Sequence, residues 1–432
     1  GKAKELQWST QSLAYLESKL TPKSLPLVKK SITQVQLQLL PEEARVRLLD
    51  YANMVVEFPV ISDLPHLCWS SNVSPPERQA FEAVRFQAIA EDSATNPQFI
   101  FQGARSWART ATNSTNTVGQ PVTITWSFIP DGTTVPTLTS ATSTSNLIAK
   151  LNSTYGASPN ANDLTQAPWF SYFDDAFGYW EEVTGNRYIY APNDDGVEIN
   201  AFNSSGSLGN RGDVRIGGTA LDGNSGVLAF NYFPDSGDMV IDTNDTANFS
   251  NNSTTIRRFK NVIAHEHGHG LGMNHVCPVN QTKLMEPFAS TAFEGVQFDD
   301  TLTAHGLYGD PMERHGSNRN NNSIANAINI GTLSNTPYNS PDVSISNSSD
   351  TDFYRFSITQ AGEVDITVTP TNVAGYLEGS QGSDGSCQVG TVYNPKNRQN
   401  LSFQLFAPNG TTILTSQNSS AIGLAEQASN PP

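Results

Sequence analysis

Cysteine is scarce in this chain. Its 432 residues include three, Cys68, Cys277 and Cys387, too few for a disulfide scaffold, and an odd count leaves at least one unpaired within the chain. No apolar run approaches the ~18–20 residues that a bilayer span requires, so a membrane-spanning helix is not expected. Positive charge is also short: 25 Lys and Arg face 41 Asp and Glu, a net charge of −16, and charged residues are only 15% of the total. A basic face for nucleic acid is therefore not expected. Asn, Ser, Thr, Gly and Pro are plentiful instead, which reads as a soluble, secreted, monomeric chain. It opens at Gly1 with no visible signal peptide.

At this length two or three domains are expected. Residues 1–57 carry 8 Lys and Arg against 6 Asp and Glu, leaving 17 against 35 for the rest, so the N-terminal stretch is chemically distinct. Leucine and valine clusters between Leu13 and Met54, interrupted by Pro22, Pro26 and Pro41, suggest short helices over a mostly helical region 1–112. Region 113–312 begins with the β-branched and aromatic run at 121–128. It continues with a helical stripe of Phe170, Phe173, Phe177, Trp180 and Val183, then strand-like segments at 187–190, 213–216, 227–233 and 239–241, and a helix starting near Thr255. This order predicts an α+β domain with a twisted mixed sheet. The Asn- and Ser-rich stretch within 313–338 reads as a linker. Period-two segments at 353–358, 364–368 and 401–405, with a turn at Asn409-Gly410, predict an all-β sandwich over 339–432. The polar tail shows no closing strand, so the sandwich reads as incomplete.

The segment that carries chemistry is His265-Glu266-His267-Gly268-His269-Gly270-Leu271-Gly272-Met273-Asn274-His275. Residues four apart share a helix face about 6 Å apart along the axis, so His265 and His269 can offer nitrogens to one ion. Glycine at 272 permits the left-handed turn that returns His275 as a third ligand. Three neutral imidazoles suit one catalytic zinc with an open position for water, and Glu266 is placed to act as general base. His267 faces away and is expected at solvent. A surface metal-scavenging tract is the alternative, less specific than the full eleven-residue string.

This string resembles the metzincin zinc peptidases, whose members carry a methionine turn beneath the metal, with Met285 the candidate here. Within that clan the stretch from about Pro121 to Asp310 is most similar to matrixins, of a divergent bacterial type. The resemblance implies a calcium loop of Asp222, the carbonyls of Gly223, Ser225 and Val227, and Asp242 and Asp245. It further implies a second calcium at Asp213 and Asp238, a peptide-binding edge at Leu228 and Ala229, and a pocket wall at Pro287-Phe288-Ala289. Asp299 or Asp300 would buttress the zinc domain. The family's structural zinc is not expected, because Phe230 and Val240 stand where its histidines would be. Cys68, in His66-Leu-Cys-Trp69, invites comparison with the prosegment cysteine that keeps matrixins latent, but its flanks do not match, and a buried structural role is expected. Cys277 either pairs with Cys387 or has a partner outside the chain. Asp350-Thr-Asp352-Phe-Tyr-Arg-Phe356 resembles a bacterial pre-peptidase C-terminal domain. The implied function is a secreted endopeptidase acting on protein or peptide substrates. The alternative is an inert, metal-stabilised extracellular binding or adhesion protein.

Overall fold

The computed structural model describes residues 8–92, 105–113, 115–202, 205–246, 248–313, 320–340, 343–382 and 385–430. Its N-terminal part contains helices α1 (Thr10–Lys19), α2 (Ser24–Ser31), α3 (Gln34–Gln38), α4 (Glu42–Val55) and α5 (Pro75–Asp92), with strand β1 (Leu67–Trp69) between the last two. Pro26 does not break a helix. It sits in the first turn of α2, where backbone N–H groups have no intrahelical acceptor to lose. Leu16, Val28, Leu48, Leu49, Val55 and Val84 bury their side chains in one cluster, which continues into Val227, Phe230 and Val240 of the neighbouring sheet.

That sheet is mixed. Its strands β2 (Thr123–Phe128), β5 (Arg187–Tyr190), β6 (Val214–Thr219), β7 (Val227–Asn231) and β8 (Met239–Asp242) join β1 in the order β1-β7-β8-β6-β2-β5, while β3 (Thr134–Pro136) and β4 (Thr142–Thr144) form a separate antiparallel pair. Pairings β2 with β5, β2 with β6 and β6 with β8 are parallel; β7 runs antiparallel to both β8 and β1. Helices α6 (Leu147–Tyr155), α7 (Phe170–Val183), α8 (Ser253–Gly270) and α9 (Phe298–Tyr308) complete this region. The stripe read from the sequence is the buried face of α7, with Phe173, Ala176, Phe177 and Trp180 all inside. It packs on α8: the Phe173 and Phe259 rings meet edge to face at 5.6 Å, and Trp180 Nε1 donates to the Ala264 carbonyl at 2.9 Å.

Beyond α9 the described chain is almost entirely strand and loop. Strand β9 (Ile328–Thr332) lies inside the stretch read as a linker and pairs in parallel with β10 (Tyr354–Ser357). Three antiparallel pairs follow: β11 (Val364–Val368) with β16 (Glu426–Asn430), β12 (Tyr376–Glu378) with β13 (Thr391–Tyr393), and β14 (Phe403–Phe406) with β15 (Ile413–Gln417) across the Asn409-Gly410 turn. The polar tail does supply a strand, β16. Its Glu-Gln-Ala-Ser-Asn run has no apolar alternation to announce it, and backbone pairing with β11 sets its register. Cys277 and Cys387 form a disulfide, beside which Cys277 and Gly379 exchange two backbone hydrogen bonds of 3.1 and 2.8 Å. Cys68 is buried and unpaired.

Phe259 is fully buried between α7 and α8. Phe259→Ala is expected to cost about 3–5 kcal/mol. A thermal melt of the whole chain checks this, and an unchanged midpoint contradicts the packing described.

Candidate metal centre and the cleft beside it

Helix α8 starts where the Asn252 side chain accepts from Thr255 N at 3.0 Å, capping an otherwise unpaired donor. It ends at Gly270, tied down by Trp107 Nε1 donating to Gly270 O (2.8 Å) and the Tyr308 hydroxyl donating to Leu271 O (2.6 Å). Gly272 follows with φ 107°, and a Cβ there would run into the Arg105 carbonyl. Both facts require glycine at the point where the chain swings back toward the helix.

The swing brings His275 to His265 and His269. His269 Nε2 lies 3.1 Å from His265 Nε2, which lies 3.2 Å from His275 Nε2. His265 Nδ1 faces Leu284 O and His269 Nδ1 faces Met273 O, each at 2.7 Å. A carbonyl only accepts, so both Nδ1 atoms carry the proton and both Nε2 atoms present bare lone pairs. Lone pairs at that separation repel unless a cation lies between them. Zinc–nitrogen bonds of ~2.0–2.1 Å at a tetrahedral angle put ligand nitrogens roughly 3.4 Å apart, close to the spacing seen, so the three side chains fit zinc. Burial lowers the pKa of His265 to about 4 and holds those of His269 and His275 well below the usual range, which keeps all three in the neutral, ligating form.

Glu266 is fully buried, with the Cys68 side chain the hydrogen-bonding group against its carboxylate. Burial raises its pKa well above the ordinary glutamate value. Cys68 stands against it: ligand atoms of Cys68, His265 and Glu266 lie within 4.8 Å of one another. Burial first, and then the Glu266 charge, push the thiol pKa up, so the sulfur is an S–H rather than a thiolate. Cys68 thus sits at the centre itself rather than in a remote core.

Beneath the histidines Met285 is buried, its sulfur where a Cβ on Gly268 would have to go, and its carbonyl accepts from Val276 N at 3.0 Å. Of the two candidate buttressing acids, Asp300 takes the role. Its Oδ2 accepts from Leu284 N (2.7 Å) and its Oδ1 from Met285 N (3.1 Å), so the carbonyl that orients His265 belongs to a peptide segment Asp300 holds. Burial, then Asp299, raises the Asp300 pKa to about 7. Asp299 instead accepts from the Tyr376 hydroxyl at 2.8 Å. His267 does face away from the centre, but it is buried rather than solvated. Its ring meets the Tyr188 hydroxyl at 2.8 Å and packs on Phe177, because that side of α8 lies against α7 and β5.

The edge expected to hold substrate already holds a strand. On β7, Phe230 faces Leu67, Ala229 faces Cys68 and Val227 faces Trp69, with Leu228 at the register shift. On the other side Trp69 N donates to Pro287 O at 3.3 Å, and Trp69 forms a parallel bridge with Phe288. Residues 67–69 therefore lie between the edge strand and the wall. His66, not singled out in the sequence for a role of its own, stacks on His269 at 4.8 Å, and its Nε2 lies 3.1 Å from Asn274 Oδ1. Arg85, also unanticipated, donates to the carbonyls of Leu64 and Pro65 and holds this segment from behind.

Asp222 and Asp242 come together in the expected calcium loop. Asp222 accepts from Val227 N, while Asp242 accepts from the N–H groups of Leu221, Asp222, Gly223 and Asn244. Gly223 and Ser225 turn the loop with φ of 84° and 70°. Among the described residues Asp245 does not complete a three-acid group with them whose ligand atoms lie within 4.8 Å. Asp213 is differently placed: its two oxygens accept from Ala111 N, Gly206 N, Thr125 N and the Thr125 hydroxyl, which leaves no lone pair for a cation. Asp238 accepts from Arg215 N. The pair thus gives the expected second calcium no open cage.

Residues 147–309 match the family model of the matrixins, a peptidase family. No curated protein matches the chain. The family match and the three-histidine group together indicate a zinc metallopeptidase domain.

Gly272→Ala adds a strained φ and a clash in the turn that delivers His275. Full-length variant protein is expected to hold well under one zinc per chain by elemental analysis, where the parent holds about one; equal zinc content contradicts the turn's role.

Proposed function

We propose that this chain is a secreted zinc endopeptidase with Glu266 as its general base, kept latent by residues 66–70 lying in its own substrate cleft. One observation carries the reading: bare Nε2 lone pairs converge beside a buried carboxylate, at a sheet edge suited to an extended peptide. His265, His269 and His275 would hold the zinc, which when bound supplies a Lewis acid and lowers the pKa of water. Glu266 takes a proton from the attacking water as its oxygen bonds to the scissile carbonyl carbon. It then returns that proton to the departing amine nitrogen as the C–N bond breaks, so the carboxylate is regenerated. Its place directly after His265, with its carboxylate beside the histidine group, supports this role.

Strand addition positions the substrate. The backbone around Leu228 and Ala229 pairs with it, and Pro287 and Phe288 wall the other side, as they do for residues 67–69. Protein or peptide chains fit such a slot. Latency follows from the same contacts, because the segment must leave before a substrate can enter. A disulfide between Cys277 and Cys387 and the shortage of basic residues agree with secretion. Calcium at the loop of Asp222, Asp242 and Asp245, with the carbonyls of Gly223, Ser225 and Val227, rests on the resemblance. Its support here is the Asp222 carboxyl, pushed up to about 8 by burial and by Asp242, which a cation would neutralise.

Proteolytic release of residues 1–92 is expected to raise casein hydrolysis at least roughly tenfold, and Glu266→Gln in the released protein to lower it ~10²–10⁴-fold with zinc content retained. Chelation should abolish activity and zinc should restore it. Zinc-loaded, released protein that cleaves nothing would support the inert binding protein instead.

A further inference from the structure

We propose that Glu313, Asp350 and Asp352, together with the side-chain oxygen of Asn321 and with Asp310 behind them, form a calcium site that fastens the end of the matrixin-like region to the strands that follow it. Three chain segments meet there. Asp310 and Glu313 lie just past α9, Asn321 precedes β9, and Asp350 and Asp352 precede β10. Ligand oxygens of Glu313, Asp350 and Asp352 fall within 4.8 Å of one another.

Acids often cluster at surfaces without an ion, but here Asp350 and Asp352 are half-buried and the two acids behind them are inside. Asp310 and Glu313 are 0% and 1% exposed. Asn321 is 0% exposed with its amide turned toward the Asp352 carboxylate, while its Oδ1 is buried without a donor. Folded proteins leave such groups unmet mainly where a ligand completes them. The strongest charges acting on Glu313 are all negative, from Asp310, Asp350 and Asp352. Burial and this repulsion push the Glu313 carboxyl up to about 9 and that of Asp352 to about 8.

The acids are also braced from outside. Asp310 accepts from Met312 N at 2.7 Å and from Ser344 N at 2.8 Å, and Asp350 accepts from Ser346 N at 2.6 Å. The Asp310 bonds engage both of its oxygens, and the Asp350 bond engages Oδ2, so backbone N–H groups hold both carboxylates in place. An all-oxygen set without imidazole or thiolate selects a hard divalent cation. Several carboxylates and an amide drawn from three segments suit the irregular, 6–8-fold coordination of calcium better than the rigid octahedron of magnesium. Nothing in this inference depends on the peptidase reading.

The test is calorimetric titration of the chelator-stripped full chain with calcium chloride, beside the double variant Glu313→Gln, Asp352→Asn. The parent is expected to bind one more calcium than the variant, whatever the loop at Asp222 binds in both; equal stoichiometry and affinity overturn the proposal. A purely structural role predicts lower stability for the variant at all calcium levels. A calcium site predicts that the variant melts no lower than the parent in chelator, and loses the parent's rise with calcium. If the double variant fails to fold, terbium emission decides. The Tyr354 hydroxyl lies 3.4 Å from Asp352 Oδ2, so emission excited through tyrosine should drop in Tyr354→Phe, and identical emission from both proteins overturns the site.

Discussion

The arrangement depends on two hydrogen bonds that settle where protons sit. Because Leu284 O and Met273 O take the Nδ1 protons of His265 and His269, the inner nitrogens have no proton to share and face each other as lone pairs. Everything around the centre can be understood as keeping those two carbonyls in place. Asp300 holds the peptides of Leu284 and Met285, Met285 fills the floor under Gly268, and Gly272 turns the chain so that Met273 O and then His275 arrive on the correct side.

The N-terminal helices are part of the same construction. Phe230 and Val240, where the resemblance to matrixins would have placed histidines for a structural zinc, are apolar and buried against the N-terminal cluster. Packing therefore covers that face of the sheet. Strand β1 is fixed at both ends: Arg85 grips the carbonyls of Leu64 and Pro65 on one side, and Trp69 Nε1 donates to Glu82 at 2.7 Å on the other.

How much was legible from sequence follows from how local each feature is. The three ligands, Glu266 and Gly272 lie within eleven consecutive residues, and helix geometry plus one glycine is enough to place them. The α7 stripe, β5 to β8 and the Asn409-Gly410 turn are period-driven and equally readable. His267 was misread as solvated because spacing gives direction but not what lies in that direction, here Tyr188 and Phe177. The position of Cys68 could not be read: its neighbour His66 meets Asn274 across 208 residues, and no local pattern encodes a pairing that distant. Strand β16 escaped because no apolar alternation marks it, and the acids near Asp310 because they are brought together from three separate segments.

The broad apolar face shared by the N-terminal helices and the sheet has a consequence for the proposed release of the N-terminal segment. Cutting the chain between them would leave the two pieces associated, held by the Phe230 and Val240 surface and by the β1–β7 ladder. Scission by itself then changes connectivity and not occupancy, and release becomes a dissociation of two molecules that responds to dilution and to destruction of the freed piece.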